Sequence, residues 1–120
     1  MAQRPDVPDE ILDRLDAIMD ELPQTYREGA WVGQRWRVGS NTVAHVFGGE
    51  DQQFRIVFHG DPDEVAAYEH LGHPYFRTGW GANVIGMIID DETDWDEVVE
   101  MLTDSYRIQA PASLAADVIR

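Results

Sequence analysis

The chain has 120 residues, no cysteine, and 23 acidic residues against nine basic ones, which gives a formal net charge of −14. This length suits one domain spanning residues 1–120, and the missing cysteine excludes disulfides, thiolate catalysis and cysteine-based zinc or iron–sulfur sites. The charge opposes long-range attraction to nucleic acid and to anionic membranes. The chain has neither a signal segment at its start nor an apolar run long enough to cross a bilayer, so we expect a cytoplasmic, monomeric protein that binds no membrane.

The first predicted element is an amphipathic helix over residues 8–22. Acidic side chains fill one face, and Pro23 ends the helix because proline cannot continue it. The apolar face repeats at helical spacing through Ile11, Leu15, Ile18 and Leu22.

Three strands are predicted next, over residues 30–38, 42–47 and 54–59. Short turns containing glycine separate them, which favours an antiparallel meander. The third strand alternates most clearly, with Phe54, Ile56 and Phe58 on one face. We expect that face to be the core.

The second half of the chain alternates helices and strands. A capping signal at Asp61–Glu64 begins a short helix, an extended segment covers 73–77, and a strand apolar on both faces covers 83–90. A second long helix is predicted over 94–107, followed by a short one at Pro111. The order α-β-β-β-α-β-β-α plus a short C-terminal helix predicts an α+β, two-layer fold. We expect a mainly antiparallel five-stranded sheet with both long helices on one face.

The middle strands carry the candidate ligand-binding residues. Alternation places Arg35 and Arg37 with Trp31 on one side of the first strand, and Arg55 with His59 on the outer side of the third. Arginine and aromatic side chains on an open sheet can contact phosphates and stack bases, although any open face also needs polar residues. The full candidate set is Trp31, Arg35, Trp36, Arg37, Arg55 and His59.

The acidic residues allow a different function. Eight of them fall between Asp90 and Asp104, where they form either a solvated face or a surface for a basic protein partner. Their spacing matches no calcium loop, and His70 with His73 lacks the further ligands of a zinc site. No serine lies in a nucleophile elbow, so we expect neither a metal, a cofactor nor catalysis.

A longer pattern is similar to a known family. In the second half of the chain, the matching segments are Gly72-His73-Pro74-Tyr75-Phe76, Trp80, the strand at 84–88, Asp94-Trp95-Asp96-Glu97, Ser105-Tyr106-Arg107 and Ala110-Pro111. Together these segments resemble the MmcQ/YjbR family. Trp36-Arg37-Val38-Gly39 and Phe54-Arg55-Ile56-Val57-Phe58 fit its opening strands. The resemblance covers about residues 11–114.

This resemblance implies a small two-layer α+β fold, described as a double-wing arrangement, and no catalytic residues. Members of the family are commonly labelled as candidate DNA-binding proteins. The residues it marks as structural are His73, Pro74, Tyr75, Trp80, Trp95, Ser105 and Tyr106. We expect Tyr75 or Phe76, together with Trp80, to pack against the core.

Two functions remain open at this stage. A module that binds DNA or nucleotides through the open sheet face predicts that Arg35, Arg37 and Arg55 form one exposed patch beside Trp31 or Trp36, free of nearby carboxylates. The alternative is an acidic protein-interaction module that binds a basic partner through its helices. Both predict a polarised molecule, with the acidic residues on the helical side and the arginines on the sheet side.

Overall fold

The computed structural model describes residues 3–118, which form one six-stranded sheet and four helices. The helices are α1 Asp9–Met19, α2 Pro62–Leu71, α3 Trp95–Gln109 and α4 Ala112–Ala115. The strands are β1 Thr25–Gly29, β2 Gln34–Val38, β3 Asn41–Gly48, β4 Phe54–His59, β5 Tyr75–Arg77 and β6 Val84–Ile89.

The sheet is antiparallel throughout, in the order β1-β2-β3-β4-β6-β5. The first four strands form an antiparallel meander, which contains the three-stranded meander predicted from the sequence. The segment after α2 returns as the edge strand β5, and β6 then enters between β5 and β4. The predicted α+β class with an antiparallel sheet is confirmed, whereas the predicted number of five strands is wrong.

The extra strand comes from the region predicted as a single strand over 30–38. The structure divides that region, because residues 30–33 form a turn in which the Ala30 amide donates to the Gly33 carbonyl at 3.1 Å. Gly33 has a φ of +68°, and a β-carbon there would collide with the Val46 carbonyl, so glycine is required. The strand missed by the prediction, β1, lies at the sheet edge and has no buried residue. It therefore lacks the apolar alternation that marks a half-buried strand.

One face of the sheet is covered by the helices. Leu15 and Met19 of α1 belong to the same buried cluster as Leu102 of α3 and as Ile56 and Phe58 of β4. The prediction that both long helices lie on the Ile56/Phe58 side is confirmed. The first helix ends at Met19, earlier than predicted, although Leu22 beyond it is also buried in this cluster.

Most of the residues that the family resemblance marks as structural are buried in the helix-side core or pack against it. Tyr106 is fully buried, and its hydroxyl donates to the Pro23 carbonyl at 2.7 Å. Ser105 is fully buried, and Tyr75 and Trp95 pack against the core. Tyr75 follows the cis peptide bond between His73 and Pro74, and its hydroxyl donates to Glu97 of α3.

Candidate functional site: the open face of the sheet

Within residues 3–118 no helix lies over the other face of the sheet, and we call it the open face. Directly opposed residues of an antiparallel ladder point to the same side, so the strand register identifies its members. One row crosses the whole sheet. It runs through Glu28, Arg35, His45, Val57, Gly86 and Phe76.

A small apolar cluster lies on this face, separate from the helix-side core. Phe47, Val57 and Val84 are its buried members, and Val32 packs against them. Arg55 and His59 alternate with Val57 along β4 and therefore share its face. The predicted placement of both residues on the outer side of this strand is confirmed.

Arg35 and Arg37 are ion-paired rather than free. Both contact one carboxylate oxygen of Glu28 on the neighbouring strand, at 2.6 Å from Arg35 and 2.9 Å from Arg37. The Arg37 hydrogen bond, followed by that of Arg35, lowers the pKa of Glu28. One negative charge therefore offsets part of the charge of two arginines.

Arg55 is also ion-paired, to Asp51 in the β3–β4 turn at 2.6 Å. Its guanidinium carbon lies 5.7 Å from the centre of the Phe76 ring. The Phe76 ring in turn covers Gly86, where any β-carbon would collide with it. The expectation that the three arginines form one patch free of carboxylates is wrong, because β1 and the β3–β4 turn each supply an acidic partner.

Trp80 lies on the open face, in the loop between β5 and β6. Its ring centre is 6.3 Å from that of His45 and 6.0 Å from that of Phe47, with both pairs near parallel. The side chain is 59% exposed. Trp80 was expected to pack against the core; it does not join the helix-side core, but stacks on Phe47 of the small apolar cluster and remains mostly exposed. The helix-side core beside β6 is already filled by α2 and α3 residues such as Val65 and Val98, whereas the opposite side is open.

Burial favours the neutral form of two histidines on this face. His45 Nε2 lies 2.6 Å from the Val32 carbonyl oxygen, which can only accept, so this nitrogen carries a hydrogen. Burial lowers the pKa of His45, the hydrogen bond to the Val32 carbonyl offsets part of that shift, and the nearby Arg35 charge lowers the pKa further. Burial also lowers the pKa of His59, whose Nδ1 has no hydrogen-bond partner among the described residues.

The two tryptophans predicted for the site lie elsewhere. Trp36 alternates with Arg35 and Arg37, so its side chain points to the helices, where it is 2% exposed and donates to Asp16 of α1 at 3.0 Å. Its inclusion in the open-face set is wrong for that reason. Trp31 lies in the β1–β2 turn rather than in a strand, and it is fully exposed.

The N-terminal segment adds a residue that the sequence pattern did not indicate. Arg4 donates to the Gly48 carbonyl at 3.2 Å, and its guanidinium carbon lies 5.9 Å from the centre of the Phe47 ring. Pro5 packs so closely on Gly48 that no β-carbon fits there. Arg4, His45 and Trp80 therefore all lie next to the Phe47 ring, although these residues come from three separate parts of the chain.

Charge is distributed unevenly between the two sides. On the open face the strands carry three arginines, Arg35, Arg37 and Arg55, and the carboxylate of Glu28. The other two strand arginines, Arg27 and Arg77, face the helices, where they pair with Asp16 of α1 and Glu69 of α2. The helices α1, α2 and α3 contain eleven carboxylates and two arginines. The predicted polarity, acidic on the helical side and near neutral or basic on the sheet side, therefore agrees with the placement of these arginines and carboxylates.

Within residues 3–118, no group of three or more histidine, aspartate or glutamate side chains is arranged to hold a metal ion. The same residues include no helix that is long and apolar enough to cross a membrane.

A solved structure has a similar fold. The chain resembles the crystal structure of Deinococcus radiodurans protein DR2400, described by the family-model domain DUF419, with a TM-score of 0.70 and 17% identity over 81% of this chain and 76% of that one. At this identity the likeness concerns the fold alone. A search of curated proteins finds no match. The family model named YjbR matches residues 20–108, which include the sheet, α2 and nearly all of α3, so the chain belongs to the YjbR family.

Proposed function

We propose that this protein is a non-catalytic binding module whose open face binds a nucleotide or a single-stranded nucleic acid by base stacking. The observation that carries this proposal is the exposed Trp80 indole beside His45 and Phe47, on the side of the molecule with the fewest carboxylates. A large aromatic group left exposed on an otherwise apolar patch is typical of a binding surface. Every base has a π-face, so such a platform accepts bases with little sequence preference.

The paired arginines favour stacking over phosphate neutralisation as the source of affinity. Glu28 already occupies Arg35 and Arg37, and Asp51 occupies Arg55. A phosphate that reached them would compete with a carboxylate already in place. The salt dependence of binding should therefore be shallow, because it follows the number of phosphates that are neutralised.

Single strands are favoured over duplexes for two reasons. Bases within a duplex are already stacked on one another, so an exposed indole cannot insert without unstacking them. A duplex also brings a dense array of phosphates toward a protein of charge −14. A short single strand or one nucleotide can approach the open face, because salt screens the repulsion from the acidic helices on the other side beyond about 8 Å at physiological ionic strength.

A fluorescence-anisotropy titration with a labelled single-stranded oligodeoxynucleotide tests the proposal. Trp80→Ala should weaken binding about tenfold, because stacking contributes roughly 1–3 kcal/mol per base. Val99→Ala, which removes an exposed apolar side chain of α3 on the helical side, is the control and should leave the affinity unchanged. Tighter binding of a duplex of the same sequence, or equal affinities for Trp80→Ala and the wild type, would contradict the proposal.

A second candidate function is the binding of a basic protein to the helical side. It is favoured by the eleven carboxylates on α1, α2 and α3. An NMR titration with an arginine-rich peptide should then shift the amides of α1 and α3 and leave the strands unchanged. The shifts should disappear at high salt, because electrostatic association weakens as ionic strength rises. Shifts confined to the strands would exclude this candidate.

A further inference from the structure

Resting on the proposed function, we infer that Arg4 is the anion contact of the open face. It binds a phosphate group of a nucleoside phosphate whose base stacks on Trp80. The phosphate belongs either to a free nucleotide or to one unit of a single strand, since both present the same group. Arg4 is therefore a ligand-binding residue that neither the strand pattern nor the family resemblance indicates.

Arg4 differs from the other arginines of this face in its charge balance. Arg35, Arg37 and Arg55 each contact a carboxylate. Arg4 has no ion pair with any of residues 3–118, and its hydrogen bond goes to the neutral carbonyl of Gly48. Its charge is not neutralised, and its side chain is exposed. An incoming phosphate would displace no acidic partner from it.

Phe47 connects this charge to the stacking platform. The Arg4 guanidinium carbon lies 5.9 Å from the centre of the Phe47 ring, and the Trp80 ring centre lies 6.0 Å from it. The cation and the exposed indole are therefore neighbours of the same buried ring. A ligand that carries a phosphate next to an aromatic base can contact both, whereas an uncharged aromatic ligand can use only Trp80.

The position of Arg4 is held by the fold rather than by its own side chain alone. Pro5 packs on Gly48 with no room for a β-carbon, and the Gln52 side chain donates to the Gln3 carbonyl at 2.8 Å. The segment also forms one wall of a cleft of about 370 Å³ whose other walls include Trp31, Val32 and Gln34. A cleft of this size beside Arg4 leaves room for the sugar or for an adjoining base.

Asp6 lines the same cleft, and its carboxylate makes no ion pair with Arg4 among the described residues. Removing it should therefore strengthen phosphate binding by reducing local repulsion. Asp6→Asn provides a variant whose effect is opposite in sign to that of Arg4→Gln.

The test is an NMR titration of the full chain that follows the Trp80 indole N–H and the Arg4 side-chain Nε–H. The probes are thymidine, thymidine 5′-monophosphate, inorganic phosphate and a short oligothymidine. Thymidine should shift Trp80 alone, inorganic phosphate should shift Arg4 alone, and the nucleotide should shift both. Saturation at lower concentration by the oligomer than by the nucleotide identifies a strand as the source of the phosphate, and the reverse order identifies a free nucleotide.

A matched pair of charge variants supports the test. Arg4→Gln and Arg107→Gln remove the same charge, but Arg107 lies near the C-terminal end of α3 on the helical side. Arg4→Gln should weaken oligothymidine binding severalfold and reduce the slope of log affinity against log salt by about 0.7, the value for one phosphate on a single strand. Arg107→Gln should leave both quantities unchanged.

The outcomes separate the two proposals. A shift of Trp80 without any shift of Arg4, together with equal salt slopes for the wild type and Arg4→Gln, would overturn the role of Arg4 and leave the stacking function intact. A shift of Arg4 by phosphate with no response of Trp80 to any probe would overturn the stacking function and leave an anion site. No shift of either group would overturn both.

Discussion

The Ser105 hydroxyl of α3 donates a hydrogen bond to the Val43 carbonyl at 2.6 Å. The same oxygen accepts a hydrogen bond from the His59 amide at 2.9 Å. Val43 lies at the register shift in the β2–β3 pairing, just beyond the Ala44–Phe58 pair that ends the β3–β4 ladder. One buried hydroxyl therefore satisfies a carbonyl and an amide of two neighbouring strands and ties both to the helix.

Ser105→Ala should lower the free energy of unfolding by roughly 1–3 kcal/mol, because it leaves these two backbone groups without their partner. Urea denaturation followed by circular dichroism measures the change. Thr103→Ala is the control, since its hydroxyl bonds the Val99 carbonyl within the same helix. Equal losses for the two variants would show that the Ser105 bridge contributes no more than an ordinary intrahelical bond.

Gly86→Ala should also destabilise the protein, by roughly 1–3 kcal/mol, because overpacking forces neighbouring groups out of place. The added methyl group would collide with the Phe76 ring. In a Phe76→Ala background the same substitution should cost much less, which a double-mutant cycle detects. Gly29→Ala in β1 meets no atom within 4 Å and is the control. A cost that is independent of Phe76 would contradict the close packing of this ring on Gly86.

His45 should titrate below its ordinary pKa of 6.5, because burial and the Arg35 charge, which disfavour its protonated form, outweigh the hydrogen bond to the Val32 carbonyl, which favours it. Its contribution to stability is then complete above pH 6.5 and is lost as the pH falls below that value, since the unfolded chain takes up the proton first. An NMR pH titration of the ring gives the midpoint directly. His45→Asn should reduce the loss of stability between pH 7 and the acid range, and a midpoint at or above 6.5 would contradict the prediction.

Trp36→Phe should separate stability from binding. It removes the indole N–H that donates to Asp16 and leaves unfilled volume beside α1, so the free energy of unfolding should fall by about 1–3 kcal/mol. Oligonucleotide affinity measured by anisotropy on the folded variant should equal that of the wild type, because Trp36 faces the helices. A loss of affinity without a loss of stability would place Trp36 in the binding site after all.

Local patterns in the sequence were sufficient for much of the fold. Alternation in β4 identified the buried face through Ile56 and Phe58, and the family pattern marked Ser105 and Tyr106, both of which are buried. Helical spacing identified α1 and α3. These properties depend on residues a few positions apart, where the periodicity of one element specifies which side chains share a face.

The edge strand β1 could not be predicted in this way. Its side chains are exposed or only partly buried on both sides, so no alternation of apolar and polar residues marks it. Its effect on the site is large, because it carries Glu28 and thereby pairs Arg35 and Arg37. An unpredicted edge strand thus changed the charge balance of the face that had been predicted to bind phosphate.

The sequence by itself determined the helix-covered core, the antiparallel α+β class and the separation of acidic helices from arginine-bearing strands, because each follows from composition and short-range periodicity. Only the tertiary structure decided which arginines are neutralised and which aromatic groups meet. The N-terminal segment brings Arg4 to the Phe47 ring, and the β5–β6 loop brings Trp80 to the same ring. Contacts between residues so distant in the chain depend on the order of strands in the sheet, which no local pattern encodes.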